Sequence, residues 1–182
     1  MTTTAEFALF GARTLVLFAL LIAATFTDIA YGKIHNWLVY PAIAIGVALA
    51  VTGQLIGAGR PDIVDSATGL ALGAAVFGFF FIQGWMGAAD VKLAAAIGAL
   101  EGLSFFIWAL VYITLAGCIL AVVVLIWHGR LVESARNSLL FFFRPRKLKE
   151  KMEASGQQPV FIPYGVAMAV GTMFAWFVAA AF

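Results

Sequence analysis

Long apolar runs separated by short polar breaks set the pattern of this chain. Phe7 to Thr27 is almost uninterrupted, holding only Arg13, whose long side chain is expected to snorkel to the nearer interface, and Asp28 closes it. A polar connector, Asp28 to Asn36 with Gly32 as its turn residue, leads to a second run from Trp37 to Ile56. That run opens on Trp37 and Tyr40, rings that favour a membrane interface. Gly57 to Asp62 breaks the pattern again, and Asp62 or Asp65 is the expected N-cap of a third run, Ser66 to Ile82. Gly69 and Gly73 within it have the spacing of a close helix contact, a spacing that background glycine also produces.

The stretch Gly84-Trp85-Met86-Gly87-Ala88-Ala89-Asp90-Val91-Lys92 separates the third run from the next. From there the chain stays apolar to Trp127, too long for one untilted crossing and tight for two. Glu101-Gly102 is the expected break, giving a short fourth helix from Val91 to about Leu100 and a fifth from Leu103 to Trp127. Val160 to Phe182 forms the last run. The predicted fold is all-α, a polytopic membrane bundle of about six transmembrane helices with the fourth one short. Residues 1–182 are expected to make a single integral-membrane domain without a separate soluble part.

Composition agrees, with 64% apolar and 11% charged residues. The first residues carry Glu6 and no Lys or Arg, so the opening run reads as a retained span rather than a signal peptide. A lone cysteine, Cys118, excludes an internal disulfide and a cysteine-based zinc cluster and reads as a small packing residue. No cofactor, metal or nucleic acid is expected.

The net charge of +2 matters less than where the cations lie. Residues 128–159 form the longest polar stretch, with Arg130, Arg136, Arg144, Arg146, Lys147, Lys149 and Lys151, and with Leu139 to Phe143 as an apolar patch. It reads as a basic cytoplasmic loop that sets topology and rests on anionic headgroups. Six spans with the N-terminus outside put Lys33, Lys92 and that loop on one side, nine of the 11 Lys and Arg, and the positive-inside rule makes that side cytoplasmic. Two crossings separate Asp28 from Asp90, so both acids share it.

An acid at the mouth of an apolar helix needs a partner or a function. Two carboxylates brought within a few ångströms cannot both ionise cheaply, so they share a proton. Such a pair can activate water against a peptide carbonyl. The plainer alternative gives the acids separate tasks, Asp28 ending one helix and Asp90 capping the next.

At these residues the sequence resembles the type IV prepilin peptidase family, in particular its short members serving Flp/Tad pili, of the CpaA or TadV kind. The family's first catalytic Asp precedes Ile-Pro-Asn, and here Asp28 precedes Ile34-His35-Asn36. Its second lies in Gly-x-Gly-Asp-x-Lys, matched by Gly87-Ala88-Ala89-Asp90-Val91-Lys92, and Ile162-Pro163-Tyr164-Gly165 is similar to its Pro-Tyr-Gly. The resemblance implies an aspartic endopeptidase with Asp28 and Asp90 as catalytic residues, cutting prepilin leaders at the cytoplasmic face of a prokaryotic inner membrane. Lys92, Asn36, Tyr164 and Gly87 become candidates for binding substrate or tuning the site. Plainer tasks stand beside them: lipid anchoring for Lys92, helix capping for Asn36 and an interfacial belt position for Tyr164. The chain lacks the paired cysteines of the long bifunctional relatives, so cleavage without N-methylation is expected.

Two departures bear on activity: His35 stands where the family has Pro, and Ala89 where it has a Gly able to take positive φ. Two rival readings remain. A proton-coupled transporter would favour acids near midspan and a second polar set toward the outer face. A catalytically silent membrane subunit would bind pilus assembly proteins through the basic loop.

Overall fold

The computed structural model describes residues 2–57, 61–127 and 164–181, and among these every regular element is helical. The elements are α1 (Thr2–Tyr31), α2 (Asn36–Leu55), α3 (Ile63–Ile82), α4 (Ala88–Trp127) and α5 (Tyr164–Ala181). All five are long and apolar enough to cross a membrane. The chain divides into two compact units, Met1–Ala116 with Pro163–Phe182, and Gly117–Ile162. The second contributes the end of α4 to the described residues; there Cys118 is exposed rather than packed. The basic stretch 128–159 and Ile162-Pro163 lie outside the described residues.

Local chemistry fixes the helix ends. α1 runs through Asp28 rather than ending before it, and stops where Gly32, at φ 62°, donates its N–H to the Asp28 carbonyl at 2.8 Å. This left-handed cap is cheap only for glycine. The connector is thereby shortened to Gly32–His35, anchored by the buried Ile34. Asp62 caps α3, its carboxylate accepting the Asp65 N–H at 2.8 Å, so that helix begins three residues earlier than the apolar run suggests.

The expected break in α4 is present. Gly102 takes φ 82° and ψ 177°, dihedrals no helix contains. Before it, Leu93 to Leu100 are buried on every side, making this segment the centre of the bundle. It owes that place to small residues. A Cβ on Gly73 would lie 2.6 Å from the Ala94 carbonyl, one on Gly69 would strike the Gly98 carbonyl, and one on Gly46 would stand 3.0 Å from Ala99. The Gly69/Gly73 spacing therefore marks a real backbone contact between α3 and α4. Beyond Gly102, α4 meets α5 through Gly171 against Ile113 and the Tyr112–Phe174 ring pair, and Trp176 of α5 packs on Phe10 and Phe18 of α1. Large apolar side chains such as Leu15, Phe26, Trp108 and Phe177 point outward, a surface that suits lipid.

Arg13 does not snorkel. It is 5% exposed and donates through Nη2 to the carbonyls of Leu49 at 3.2 Å and Pro61 at 3.0 Å. The guanidinium finds acceptors inside the bundle in two backbone carbonyls, which its planar fork of donors suits.

Candidate active site

Asp28 lies in the last turn of α1 and turns inward, 6% exposed. Its Oδ2 accepts the backbone N–H of Gly165 at 2.8 Å. Gly165 is the second residue of α5, where the first N–H groups of a helix have no partner within it and the helix dipole favours an anion. The approach requires glycine: a Cβ at 165 would sit 2.7 Å from Asp28 Oδ2 and 3.1 Å from its Cβ and Cγ. Asp28 therefore does not serve as an end to its own helix; it joins α1 to α5.

Asp90 is the third residue of α4, which begins at Ala88 rather than Val91. It does not occupy the N-cap. Its Oδ2 reaches back to the N–H of Gly87 at 3.1 Å while its own N–H donates to the Gly87 carbonyl at 3.1 Å. This is the reciprocal half of a capping box, which fixes the side chain on the first turn. Asp28 is the charged group within electrostatic reach of Asp90. Each carboxylate thus has one oxygen tied to a glycine N–H at a helix start, and the two acids face the same end of the bundle.

Lys92 does not pair with Asp90. Its Nζ donates to Asn36 Oδ1 at 2.8 Å and lies 5.4 Å from the centre of the Tyr40 ring. Asn36 is the first residue of α2 and does not cap it; the N-cap position is His35, which makes no side-chain cap bond. Lys92 and Asn36 therefore brace the start of α4 against the start of α2, close behind the connector from Asp28. Tyr164 opens α5 beside Gly165 and sets its ring edge-on to Phe77 with centroids 6.3 Å apart.

The two departures from the family pattern are accommodated. Ala89 is the second residue of α4, and among the described residues no residue other than glycine has positive φ. The glycine-requiring turn falls instead at Gly84, with φ 76°. His35 has φ −80° and ψ 139°, near the backbone that Pro would impose.

The site residue that sequence reasoning passed over is Gly165, although the motif containing it was in view. Its signal was there: a glycine directly after an aromatic belt residue at a helix start, where only a close backbone approach gives it purpose. Among the described residues, no group of three or more His, Cys, Asp or Glu is placed to hold a metal ion.

The family model described as the type IV leader peptidase family matches residues 15–126, more than half of the 182-residue chain and a span that includes both acids. The chain belongs to the type IV leader peptidase family. With its apolar helices, that makes it a multi-pass membrane protein and a peptidase. The matched segment ends before α5, so the Gly165 contact is an addition of this structure to what the family match covers. Comparisons with curated proteins and with solved structures gave no match.

Proposed function

We propose that the protein is an aspartic endopeptidase that removes the leader peptide of type IV prepilins, of the Flp/Tad kind, with Asp28 and Asp90 as its catalytic pair. The observation that carries this is the joint placement of the two acids at one end of the bundle. Each is held through one oxygen by a glycine N–H, and no cation stands between them among the described residues. The other oxygen of each is available to a water and to a peptide carbonyl. In the reaction, the ionised carboxylate takes a proton from water as its oxygen bonds to the carbonyl carbon. The protonated partner gives its proton to the carbonyl oxygen. When the tetrahedral adduct collapses, the C–N bond breaks and the leaving nitrogen receives a proton.

The cation distribution supports a site on the cytoplasmic side of a prokaryotic inner membrane, since Lys33 and Lys92 flank the acids and seven more Lys and Arg lie in residues 128–159. A prepilin suits this placement: its apolar helix can lie in the bilayer while its leader reaches the acids from the aqueous side. The basic loop would rest on anionic lipid.

The test is purified protein in detergent with a cognate prepilin, the product read by mass spectrometry. Wild type should release the leader, and Asp28→Asn and Asp90→Asn should each slow release by about 10³-fold or more. An intact leader with wild-type protein, or cleavage by either variant at the wild-type rate, would overturn the proposal.

A further inference from the structure

The break in α4 exchanges hydrogen-bond partners with α3. In an unbroken helix the Leu103 N–H would donate to the Ala99 carbonyl four residues back. At Gly102 the backbone leaves helical geometry, and both groups are taken over by adjacent side chains of one neighbouring helix. Asp65 Oδ1 accepts the Leu103 N–H at 3.0 Å, and Ser66 Oγ donates to the Ala99 carbonyl at 2.6 Å. Ser66 is wholly buried, so its hydroxyl has no water to turn to. The space a side chain at 102 would need is filled: a Cβ there would lie 2.6 Å from Asp65 Oδ2 and 2.8 Å from the Pro61 Cβ. Arg13 completes the arrangement, bound to the Pro61 and Leu49 carbonyls with Asp65 and Glu101 in its field.

We infer that Asp65 and Ser66 are positioning residues for Asp90: by satisfying the two backbone groups freed at Gly102, they hold Ala88 to Glu101 as a separate short rod and so fix the height of its first turn. Straight, the 40 residues of α4 would measure about 60 Å, twice the roughly 30 Å of a bilayer core. The broken form sets a rod of about 21 Å between the polar brace at one end and Asp90 at the other. Because Leu93 to Leu100 are enclosed on all sides, a shift at the break has no slack to absorb it and reaches Asp90. The importance of that height for activity rests on the proposed acid pair; the height itself does not.

The experiment measures the height directly. In full-length protein carrying Cys118→Ser, Ala88→Cys places a single thiol on the exposed first residue of α4, and its rate of modification by a charged maleimide is followed in micelles. Asp65→Leu with Ser66→Ala should change that rate by about fivefold or more, and Gly102→Ala should change it in the same direction. Asp65→Asn, whose carboxamide oxygen still accepts the Leu103 N–H, should stay within about twofold of the parent. If the double variant fails to fold, Ser66→Ala alone and Gly102→Ala decide the matter. A labelling rate unchanged in the folded variants would overturn the inference, as would an Asp65→Asn rate equal to that of the double variant. Labelling needs neither substrate nor catalysis, so failure of the peptidase reading would leave this result standing, and the reverse holds too.

Discussion

Two polar clusters occupy opposite ends of the same bundle and are built from similar parts. Arg13, Asp65, Ser66 and Glu101 gather at one end, and Asp28, Asp90, Gly87 and Gly165 at the other. Each end sets a carboxylate on a backbone N–H: Leu103 on Asp65, Gly165 on Asp28, Gly87 on Asp90. What differs is the countercharge. At the first end a buried guanidinium serves the acids around it, although Glu101 Oε1 finds no hydrogen-bond donor among the described residues. At the second end Asp28 lies in the field of Asp90, and the nearby ammonium of Lys92 is engaged by Asn36 and Tyr40. Burial of an acid therefore does not by itself mark a reactive site. The first cluster has a cation inside it, whereas the hydrogen bonds to Asp28 and Asp90 among the described residues come from glycine N–H groups.

The interval between the clusters bears on the transport reading, because the first of them is the second polar set that such a reading called for. Arg13 and Asp28 lie about 22 Å apart along α1. The core between them is made of Leu17, Leu20, Leu21, Ala24, Leu93 and Ile97, and α1 carries no titratable side chain from Thr14 to Thr27. The hydroxyl of Thr27 is turned back onto its own helix, on the Ala23 and Ala24 carbonyls. A relay needs polar steps across that distance. The two clusters read instead as one site and one brace.

The sharpest way to break this comparison is to neutralise one acid at each end. Asp90→Asn or Asp28→Asn should cut leader release by about 10³-fold with little change in thermal unfolding, while Asp65→Asn should keep cleavage within about fivefold of wild type. Loss of cleavage in all three would make the ends equivalent. The next largest effect falls on stability. Arg13→Leu leaves Asp65 and Glu101 without their cation and should destabilise the fold by about 3 kcal/mol, read as a lower Tm in detergent. A Tm for Arg13→Leu equal to that of wild type would remove the brace from the account.

How far the sequence could be read follows from the same contrast. Period and length expose helices, so the five apolar runs, the break beside Glu101 and the acids at helix mouths were all visible. Bounds were missed where capping overrides hydropathy: α1 continues through Asp28 because Gly32 supplies its cap, and α4 starts at Ala88 because Gly87 and Asp90 satisfy each other. The inward turn of Arg13 was hidden because two of its hydrogen bonds go to backbone carbonyls, which carry no sequence signature, and the acids near it, Asp65 and Glu101, are distant in sequence. The contact of Gly165 with Asp28 was hidden for a related reason. It joins residues 137 positions apart through a backbone N–H, and only the absence of a side chain hints at it.

Gly165→Ala probes that contact. The added methyl carbon would meet Asp28 Oδ2 at 2.7 Å, so either the carboxylate swings away or the start of α5 withdraws. A displacement near 1 Å of a catalytic group costs about 10²-fold in rate, and kcat should fall by that order with KM little changed. The same change at Gly87 is milder, since a Cβ there would stand 3.4 Å from Asp90 Oδ2, an ordinary contact. Gly87→Ala should therefore lie within about tenfold of wild type. Equal losses at the two glycines would mean that their closeness to the acids is not what matters.

The smallest effect expected is at Lys92, where it separates bracing from chemistry. Its ammonium sits on Asn36 and over Tyr40, so Lys92→Met removes a link between α2 and α4 without removing a charge from Asp90's hydrogen bonds. An exposed link of this kind contributes about 1 kcal/mol or less, which predicts a loss of cleavage under about tenfold. Asn36→Leu should match it, and the double variant should be no worse than either, because both changes cut the same bond. Asn36→Asp keeps an acceptor and should restore wild-type rates. If Lys92→Met instead cost as much as Asp90→Asn while Asn36→Leu were silent, the ammonium would have to act on substrate rather than brace α2 against α4.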